Sequence, residues 1–311
     1  MKILIIYFSG TGNTRKVAEK YAECFHQLGH EAELVSVDGL PRNKTLTDEF
    51  LTKLKEADIV GFGYPVHAFN APSVMLKLAK FLPKQPTAKR AFIFNTSGEP
   101  LKLNNISSIK LNGILKRRKY MVFSEYHYCM PYNIIFRHTD EMAYKMWNTA
   151  EQLVPLDVKQ IVDNVPHLLK GVFCGSFVAW VMRCEHWGVR LNGKQYKVGK
   201  NCVHCQKCIN ICPTHNITVK KNGKLHFGSN CLMCMRCAQL CPKDAIKTGW
   251  FNKWKVNGAY TFEKPVTVQN QKYNKMLTKS YDKYFSECNE RIAAVADATK
   301  QDSNVNDATA N

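Results

Sequence analysis

Eight of the 13 cysteines form two copies of one pattern, Cys-x-x-Cys-x-x-Cys-x-x-x-Cys-Pro. The second copy follows the first by 29 residues, and every cysteine keeps its place. Three thiolates at this spacing can wrap one side of an iron–sulfur cube, and the fourth, before proline, normally binds the other cluster. The pattern predicts two 4Fe–4S clusters with crossed ligands. The first set is Cys202, Cys205, Cys208 and Cys241, and the second is Cys231, Cys234, Cys237 and Cys212.

Zinc is the main alternative occupant of these sites, because it also binds Cys-x-x-Cys pairs. Tetrahedral zinc needs four ligands and has no use for a third and fourth cysteine at these offsets followed by proline. A purely structural role is a second alternative, but two adjacent clusters form a path for electrons. The repeat therefore predicts electron transfer. Lys207 and Arg236 lie in the cluster turns, where positive charge would raise the cluster potentials.

A second candidate site lies near the N-terminus, in a loop rich in hydroxyl, amide and glycine residues. The loop comprises Ser9, Gly10, Thr11, Gly12, Asn13 and Thr14. It follows an apolar run and precedes a helical pattern, so free backbone amides at the helix start can bind an anion. The loop matches neither the P-loop nor the dinucleotide pattern. It therefore predicts a site for a phosphate monoester, with a plain helix cap as the alternative.

The elements that position these sites alternate along the first half of the chain. Short apolar runs predict strands, and apolar residues at helical spacing between several of them predict helices. Strands that alternate with helices favour a doubly wound α/β fold with a parallel sheet. The predicted strands are residues 3–8, 31–37, 58–63, 91–94 and 120–123.

The segment Tyr7–Thr14 looks like the signature of the flavodoxin family, whose loop holds the phosphate of FMN. This resemblance covers residues 1–137 and implies a five-stranded flavodoxin-like fold. The whole chain resembles the flavodoxin–ferredoxin fusion proteins of anaerobic bacteria and archaea, which carry a flavodoxin-like domain and then a small α+β two-cluster ferredoxin domain. The segment Met130–Asn133 also resembles the M-P-x-N stretch of that family and is expected to approach the flavin.

The resemblance further implies that the loops after the third and fourth strands hold the isoalloxazine ring. Tyr64, His67 or Phe69 would stack on the ring, and backbone amides of residues 95–98 would reach its edge. Ordinary loop packing is the alternative for the aromatic residues. The implied ring contacts are Tyr64, Pro65, His67, Asn95, Thr96, Ser97 and Gly98, with Gly63, Val66, Phe69 and Asn70 at further matching positions.

Five parts of the chain are expected. They are a flavodoxin-like domain at 1–137, a helical connecting region at 138–195, a ferredoxin domain at 196–250, a partly helical extension at 251–298 and a disordered tail at 299–311. The aromatic and basic residues around Trp250 and Trp254 are expected to pack the ferredoxin domain onto the flavin domain. The five cysteines outside the repeats are expected to be buried, although Cys129 is a candidate for reactivity beside the flavin loops.

The charge balance constrains the partners. There are 44 Lys and Arg residues against 25 Asp and Glu residues, a formal charge of +19. Bound clusters and a flavin phosphate would offset part of this excess, and the remainder predicts an acidic redox partner such as a small ferredoxin, or a small-molecule acceptor. A nucleic-acid partner is the disfavoured alternative. No signal peptide or membrane span is predicted, so we expect a cytoplasmic protein.

The sequence therefore predicts an iron–sulfur flavoprotein that passes single electrons between two 4Fe–4S clusters and FMN. The alternative is a ferredoxin-linked flavin-dependent reductase of a small acceptor such as a quinone. No side chain of the sequence stands out as a catalytic acid or base for such an acceptor. Direct use of NAD(P)H is not predicted, because no dinucleotide fingerprint is present.

Overall fold

The computed structural model describes residues 1–39, 46–267, 273 and 275–308, with the backbone alone at Gly39 and 296–308. Within this part of the chain, the N-terminal half forms a parallel sheet of five strands in the order β2-β1-β3-β4-β5. This is the flavodoxin-like order of a doubly wound sheet. The predicted α/β fold class is therefore confirmed. The strands are β1 (Lys2–Tyr7), β2 (Glu31–Ser36), β3 (Ile59–Pro65), β4 (Lys89–Ser97) and β5 (Tyr120–Cys129).

Helices cover both faces of this sheet. One face packs against α2, α3 and α4, and the other packs against α1 and α5. The strands are buried on both sides, which is why they read as continuous apolar runs. The helix α2 was not predicted from the sequence. The helices are α1 (Asn13–Gln27), α2 (Asp48–Glu56), α3 (Ser73–Phe81), α4 (Ile109–Arg117) and α5 (Asp140–Val162).

The helix α5 belongs to the flavodoxin-like layer rather than to a connecting region. Its residues Trp147, Leu153 and Val158 share a buried cluster with Val17 of α1 and Ile5 of β1. A domain end at residue 137 would therefore separate α5 from the core that it shares with α1 and β1. The helix also continues through Pro155, because its apolar face stays buried on both sides of that residue.

Two shorter helices, α6 (Gly175–Met182) and α7 (Glu185–Lys194), follow α5 within the region that was predicted to be helical. They lead into the small cysteine-rich part, which consists of two antiparallel strand pairs and two one-turn helices. Strand β6 pairs with β9, and β7 pairs with β8. Its elements are β6 (Tyr196–Val198), α8 (Lys207–Asn210), β7 (Ile217–Val219), β8 (Leu225–Phe227), α9 (Arg236–Gln239) and β9 (Ile246–Thr248).

The C-terminal helix α10 (Lys275–Ala308) packs back onto the flavodoxin-like part. Arg291 forms an ion pair with the buried Asp157 of α5 at 2.5 Å, and the Tyr284 hydroxyl accepts the amide of Cys129 at 3.1 Å. The helix runs past its predicted end at Ala298, through most of the segment expected to be disordered. That segment contains no proline, which is the residue that would break a helix most strongly. Residues 309–311 lie outside the described part.

Candidate electron-transfer site

The first cysteine set surrounds a cavity of about 280 Å³. All four of its predicted ligands line this cavity, although Cys241 comes from the second repeat. The cavity opens to solvent beside Cys205, which is exposed, and beside the exposed Lys207 and Lys243. Four thiols around one cavity are the donor set that a 4Fe–4S cluster requires. The residues therefore fit this group.

The second set lines a separate and smaller cavity. Cys212 of the first repeat lies there together with its three predicted partners from the second repeat. Burial raises the pKa of Cys231 to about 11 and that of Cys234 to about 12. Such thiols need a metal to hold them as thiolates, since a coordinating thiol is deprotonated outright. In the described residues, no three His, Cys, Asp or Glu side chains converge closely enough for a single metal ion.

The two repeats have matching backbone geometry. His204 and Gln206 in the first loop have positive φ, as do Met233 and Met235 in the second. This conformation lets the chain curl around a cluster with its amides turned inward. Backbone amides already donate to ligand sulfurs, from Asn216 to Cys212 Sγ and from Ala245 to Cys241 Sγ, both at 3.3 Å. The crossed ligand assignment stays a prediction, which the cavity linings support.

A third and larger cavity, of about 450 Å³, lies at the carboxyl ends of the parallel strands. This is where doubly wound folds bind ligands, and the volume lies in the range of cofactor sites. Among the residues predicted from the sequence, those that line it are Ser9, Gly10, Thr11, Asn13, Thr14, Pro65, His67, Thr96, Ser97 and Gly98. Val66 and Phe69, and the Met130–Asn133 segment, line it as well. We refer to it as the flavin pocket.

The phosphate end of the flavin pocket is built from the loop before α1. Gly12 has a φ of 116° and donates its amide to Ser9 Oγ at 3.2 Å, while Thr14 Oγ1 and Thr96 Oγ1 lie 2.8 Å apart. Asn13 Nδ2 donates to the carbonyl of Pro131 at 2.7 Å, which ties the loop to the segment after β5. The first turn of α1 has no acidic residue to repel a phosphate. The donors and the charge fit a phosphate monoester.

Five of the residues named from the sequence do not line the pocket: Gly12, Tyr64 and Asn95, and the further positions Gly63 and Asn70. Tyr64 is fully buried in the core, with its hydroxyl 3.3 Å from Ser107 Oγ, so it cannot stack on a ring in the pocket. The side chain of Asn95 is also buried and does not line the pocket. Strand alternation explains both cases, because successive side chains point to opposite faces of the sheet. Gly12 shapes the loop without lining the cavity.

Arg236, in the second cysteine repeat, joins the two parts of the molecule. Its Nε donates to the Gly10 carbonyl at 2.7 Å, and its Nη2 donates to the Ser9 carbonyl. Its Nη1 lies 2.6 Å from the carboxylate of Asp38 and donates to the Ile211 carbonyl at 3.0 Å. The guanidinium binds the carbonyl side of the phosphate loop, so it helps to fix the orientation of that loop. The sequence suggested only an effect of Arg236 on cluster potential.

The second cluster cavity and the flavin pocket are neighbours. Met233 lines both of them. Gly10 packs so closely on this cluster loop that a Cβ there would lie 2.8 Å from the carbonyl oxygen of Cys234. Asn133 Nδ2 donates to the same carbonyl at 3.4 Å. The wall between the cavities is therefore about one side chain thick at Met233.

Two carboxylates line the flavin pocket that sequence reasoning missed. Glu99 accepts a hydrogen bond from the Tyr132 hydroxyl, and burial raises the pKa of Glu99. Burial raises the pKa of Glu185 to about 7, and no residue in the described part of the chain forms a hydrogen bond with its buried Oε2. The only sequence signal for Glu185 is its place as the single carboxylate within residues 164–200.

Other titratable groups near the pocket are held neutral. Burial, with a contribution from His186, lowers the pKa of His67 to about 4. Cys129 is buried, and burial raises the pKa of its thiol well above the usual range, so the suggested reactivity is not supported.

Cys24 and Cys288 are buried as predicted, whereas Cys174 and Cys184 are exposed. Trp250 and Trp254 are also largely exposed, although Trp254 lines one side of the pocket.

Residues 201–245 match the 4Fe-4S dicluster domain family. No curated protein sequence matches the chain. Among solved structures, the chain is similar to a flavodoxin from the domain Archaea, with 17% identity and a TM-score of 0.35 over 52% of this chain and 99% of that chain. A Streptococcus pneumonia TIGR4 flavodoxin has 13% identity and a TM-score of 0.38 over 53% of this chain and 100% of that chain. A flavone reductase has 14% identity and a TM-score of 0.39 over 58% of this chain and 70% of that chain.

The dicluster match confirms the predicted 4Fe–4S domain, and the strand order confirms the flavodoxin-like fold. The likenesses to solved structures, at these identities and scores, add nothing about function. Within the described residues, no helix is long and apolar enough to cross a membrane. The chain thus joins a flavodoxin-like domain to a dicluster domain, with the flavin pocket and the second cysteine set on either side of Met233.

Proposed function

We propose that the protein is an electron-transfer iron–sulfur flavoprotein that passes single electrons between two 4Fe–4S clusters and FMN. The observation that carries this proposal is the position of Met233, which lines both the flavin pocket and the cavity of the second cysteine set. FMN accepts one electron or two, so it can join one-electron carriers to a two-electron acceptor. The phosphate loop and residues 96–98 would hold it, and the eight cysteines would hold the clusters.

The direction from surface to interior supports a linear path. The first cysteine set includes the exposed Cys205, whereas the second includes the buried Cys234. Lys207 and Lys243 line the outer cavity and give it a positive rim. We propose that an acidic redox protein such as a small ferredoxin docks at this rim, because opposite charge steers such encounters. The first cluster would then face the partner, and the second would face the flavin pocket.

Anaerobic purification with iron, sulfide and flavin analysis tests the cofactor content. We expect about eight irons and one FMN per chain. About two zincs and no flavin would overturn the proposal. Rapid mixing with a reduced ferredoxin then tests the path: the flavin should be reduced through the clusters. Clusters that become reduced while the flavin stays oxidised would contradict electron transfer between them.

The alternative prediction, a reductase of a small acceptor such as a quinone, is favoured by Glu185. Reduction of a quinone takes up two protons with two electrons. A carboxyl with a pKa of about 7 that lines the pocket can give a proton near neutral pH. Steady turnover of a quinone by the reduced protein, with a pH profile that shifts in Glu185→Gln, would establish this activity. Absence of turnover would restrict the protein to electron transfer between carriers.

We also propose a division into domains that follows the packing: a flavodoxin-like domain that includes α5, the dicluster domain and a C-terminal helix that packs on the former. We further propose a cytoplasmic location in an anaerobe, because clusters with thiolate ligands persist in a reducing compartment.

A further inference from the structure

The helices α6 and α7 expose their more apolar face. From Phe173, which lies just before α6, to Leu191 in α7, six exposed side chains lie at alternating spacings of four and three, and Cys174, Ser176 and Val181 beside them are exposed as well. The exposed fractions are 97% for Phe173, 63% for Phe177, 64% for Trp180, 71% for Trp187 and 55% for Leu191, and Cys184 continues the series. We call these six residues the aromatic stripe. Isolated exposed apolar side chains are ordinary, but a continuous stripe of aromatic residues marks an interaction surface.

The opposite face of the same helices is already occupied. Gly175 and Ala179 are buried, and a Cβ at Gly175 would lie 2.7 Å from Ile106. Asn70 Nδ2 donates to the carbonyl of Ala179 at 3.1 Å. Val189 is buried on α7. Because these contacts hold the helices in one orientation, the aromatic stripe cannot turn inward without breaking them.

The charge around the stripe has one sign. Residues 164–200 contain six Lys or Arg residues, and their one carboxylate is Glu185, which lines the flavin pocket. Lys170 and Lys194 are exposed near the two ends, and Arg190 lies 5.6 Å from the ring of Trp187. The whole chain carries a formal charge of +19. The surface is therefore apolar and aromatic in the middle and cationic along its edges.

We propose that the aromatic stripe docks this protein on an anionic lipid bilayer as a peripheral, non-spanning contact. Trp and Phe on one helix face with Lys and Arg beside them are the features of helices that lie in the bilayer interface. A second copy of the chain would bring its own cationic edges against the cationic edges of the first copy, and the two copies would repel each other. An acidic protein would satisfy the cations but would still need a matching apolar groove for the exposed rings.

Docking in this way would hold the flavin pocket next to the bilayer. Met182 and Glu185 belong to the same two helices and line the pocket from their inner side. An acceptor dissolved in the membrane would then have a short path to the pocket. The lipid contact does not depend on any redox step, so it goes beyond the proposed function. If the protein does not bind vesicles, the proposed electron transfer still stands.

Vesicle binding by the cofactor-loaded protein tests the proposal. We expect sedimentation with vesicles of equal parts phosphatidylglycerol and phosphatidylcholine, and binding about tenfold weaker to phosphatidylcholine alone. Tryptophan emission should shift to the blue on addition of the mixed vesicles. The double variant Trp180→Glu/Trp187→Glu should lose binding by about tenfold or more. Met121 on β5 is 52% exposed and lies outside the stripe, so Met121→Glu is the control and should bind as the wild type does.

Each variant must hold as much iron and flavin as the wild type, so that a loss of vesicle binding is not due to misfolding. Phe177→Ser, which removes one ring from the stripe, is a milder second variant. Failure of the wild type to bind the mixed vesicles overturns the proposal, as does equal binding by the double variant. Loss of a dimer or of ferredoxin binding in the double variant, with vesicle binding unchanged, would assign the stripe to a second copy or to a protein partner instead.

Discussion

Replacement of Arg236 by methionine should uncouple the phosphate loop from the cluster domain. The guanidinium bridges the Ser9 and Gly10 carbonyls, the Ile211 carbonyl and the Asp38 carboxylate, and its side chain is 14% exposed. Hydrogen bonds of a charged group contribute about 1.5–3 kcal/mol each but are not additive. Removal of one partner from a largely buried pair costs about 3–5 kcal/mol. We expect a loss of this size in the free energy of unfolding.

The same substitution should weaken FMN binding. If about 1.4 kcal/mol of the loss falls on the phosphate loop, the Kd for FMN rises about tenfold. Urea unfolding under anaerobic conditions gives the first quantity, and a titration of flavin fluorescence gives the second. Lys207→Met is the matched control, because Lys207 occupies the equivalent position of the first repeat and is exposed. It should leave both quantities near their wild-type values.

A double-mutant cycle with Asp38→Asn isolates the ion pair. If Arg236 and Asp38 act through each other, the double variant loses less stability than the two single losses combined. A change of less than about 0.5 kcal/mol in the free energy of unfolding of Arg236→Met, with unchanged FMN affinity, would contradict a role of Arg236 in fixing the phosphate loop. Iron analysis of each variant separates loss of the loop contact from loss of the cluster.

Three further predictions follow from the site. Cys241→Ser should damage the first cluster and Cys212→Ser the second, and spectroscopy that resolves the two clusters should show each loss at the cluster distant in sequence. Gly10→Ala should lower stability and FMN affinity, because its Cβ would lie 2.8 Å from a carbonyl oxygen. The control Gly113→Ala meets open space in a helix and should stabilise the protein slightly. Equal effects of the two substitutions on stability would contradict this prediction. Burial raises the pKa of Glu185 from 4.5 to about 7, so the folded state binds more protons than the unfolded state in that interval. The free energy of unfolding should therefore decrease by up to about 3 kcal/mol as the pH rises from about 4.5 to about 7. Urea unfolding at several pH values should show a flatter dependence of this free energy on pH in Glu185→Gln.

The chemistry of the ligands could be predicted from the sequence because it depends on local spacing. Cysteines separated by two residues need only one turn of chain to reach a common cluster, so the repeat itself predicts the ligands. The phosphate loop is equally local, since the strand, the loop and the helix start are consecutive. The alternation of strands and helices fixes the fold class for the same reason.

The tertiary structure decided which side chains reach these sites. Arg236 contacts residues 226 and 227 positions earlier in the chain, and no local pattern encodes such a pairing. Tyr64 looked like a ring contact in the sequence, but the twofold alternation of its strand directs it into the core. The packing of α5 against α1 is likewise a contact between distant parts of the chain.

The same distinction applies to the surface. An apolar segment such as residues 171–187 predicts burial when it is read alone, because most such segments find a partner in the fold. In this protein one face of α6 and α7 packs on the domain and the aromatic stripe faces outward. The sequence determined only that this segment is largely apolar with polar interruptions. Only the contacts with Asn70 and Ile106, from distant parts of the chain, decided which face solvent reaches.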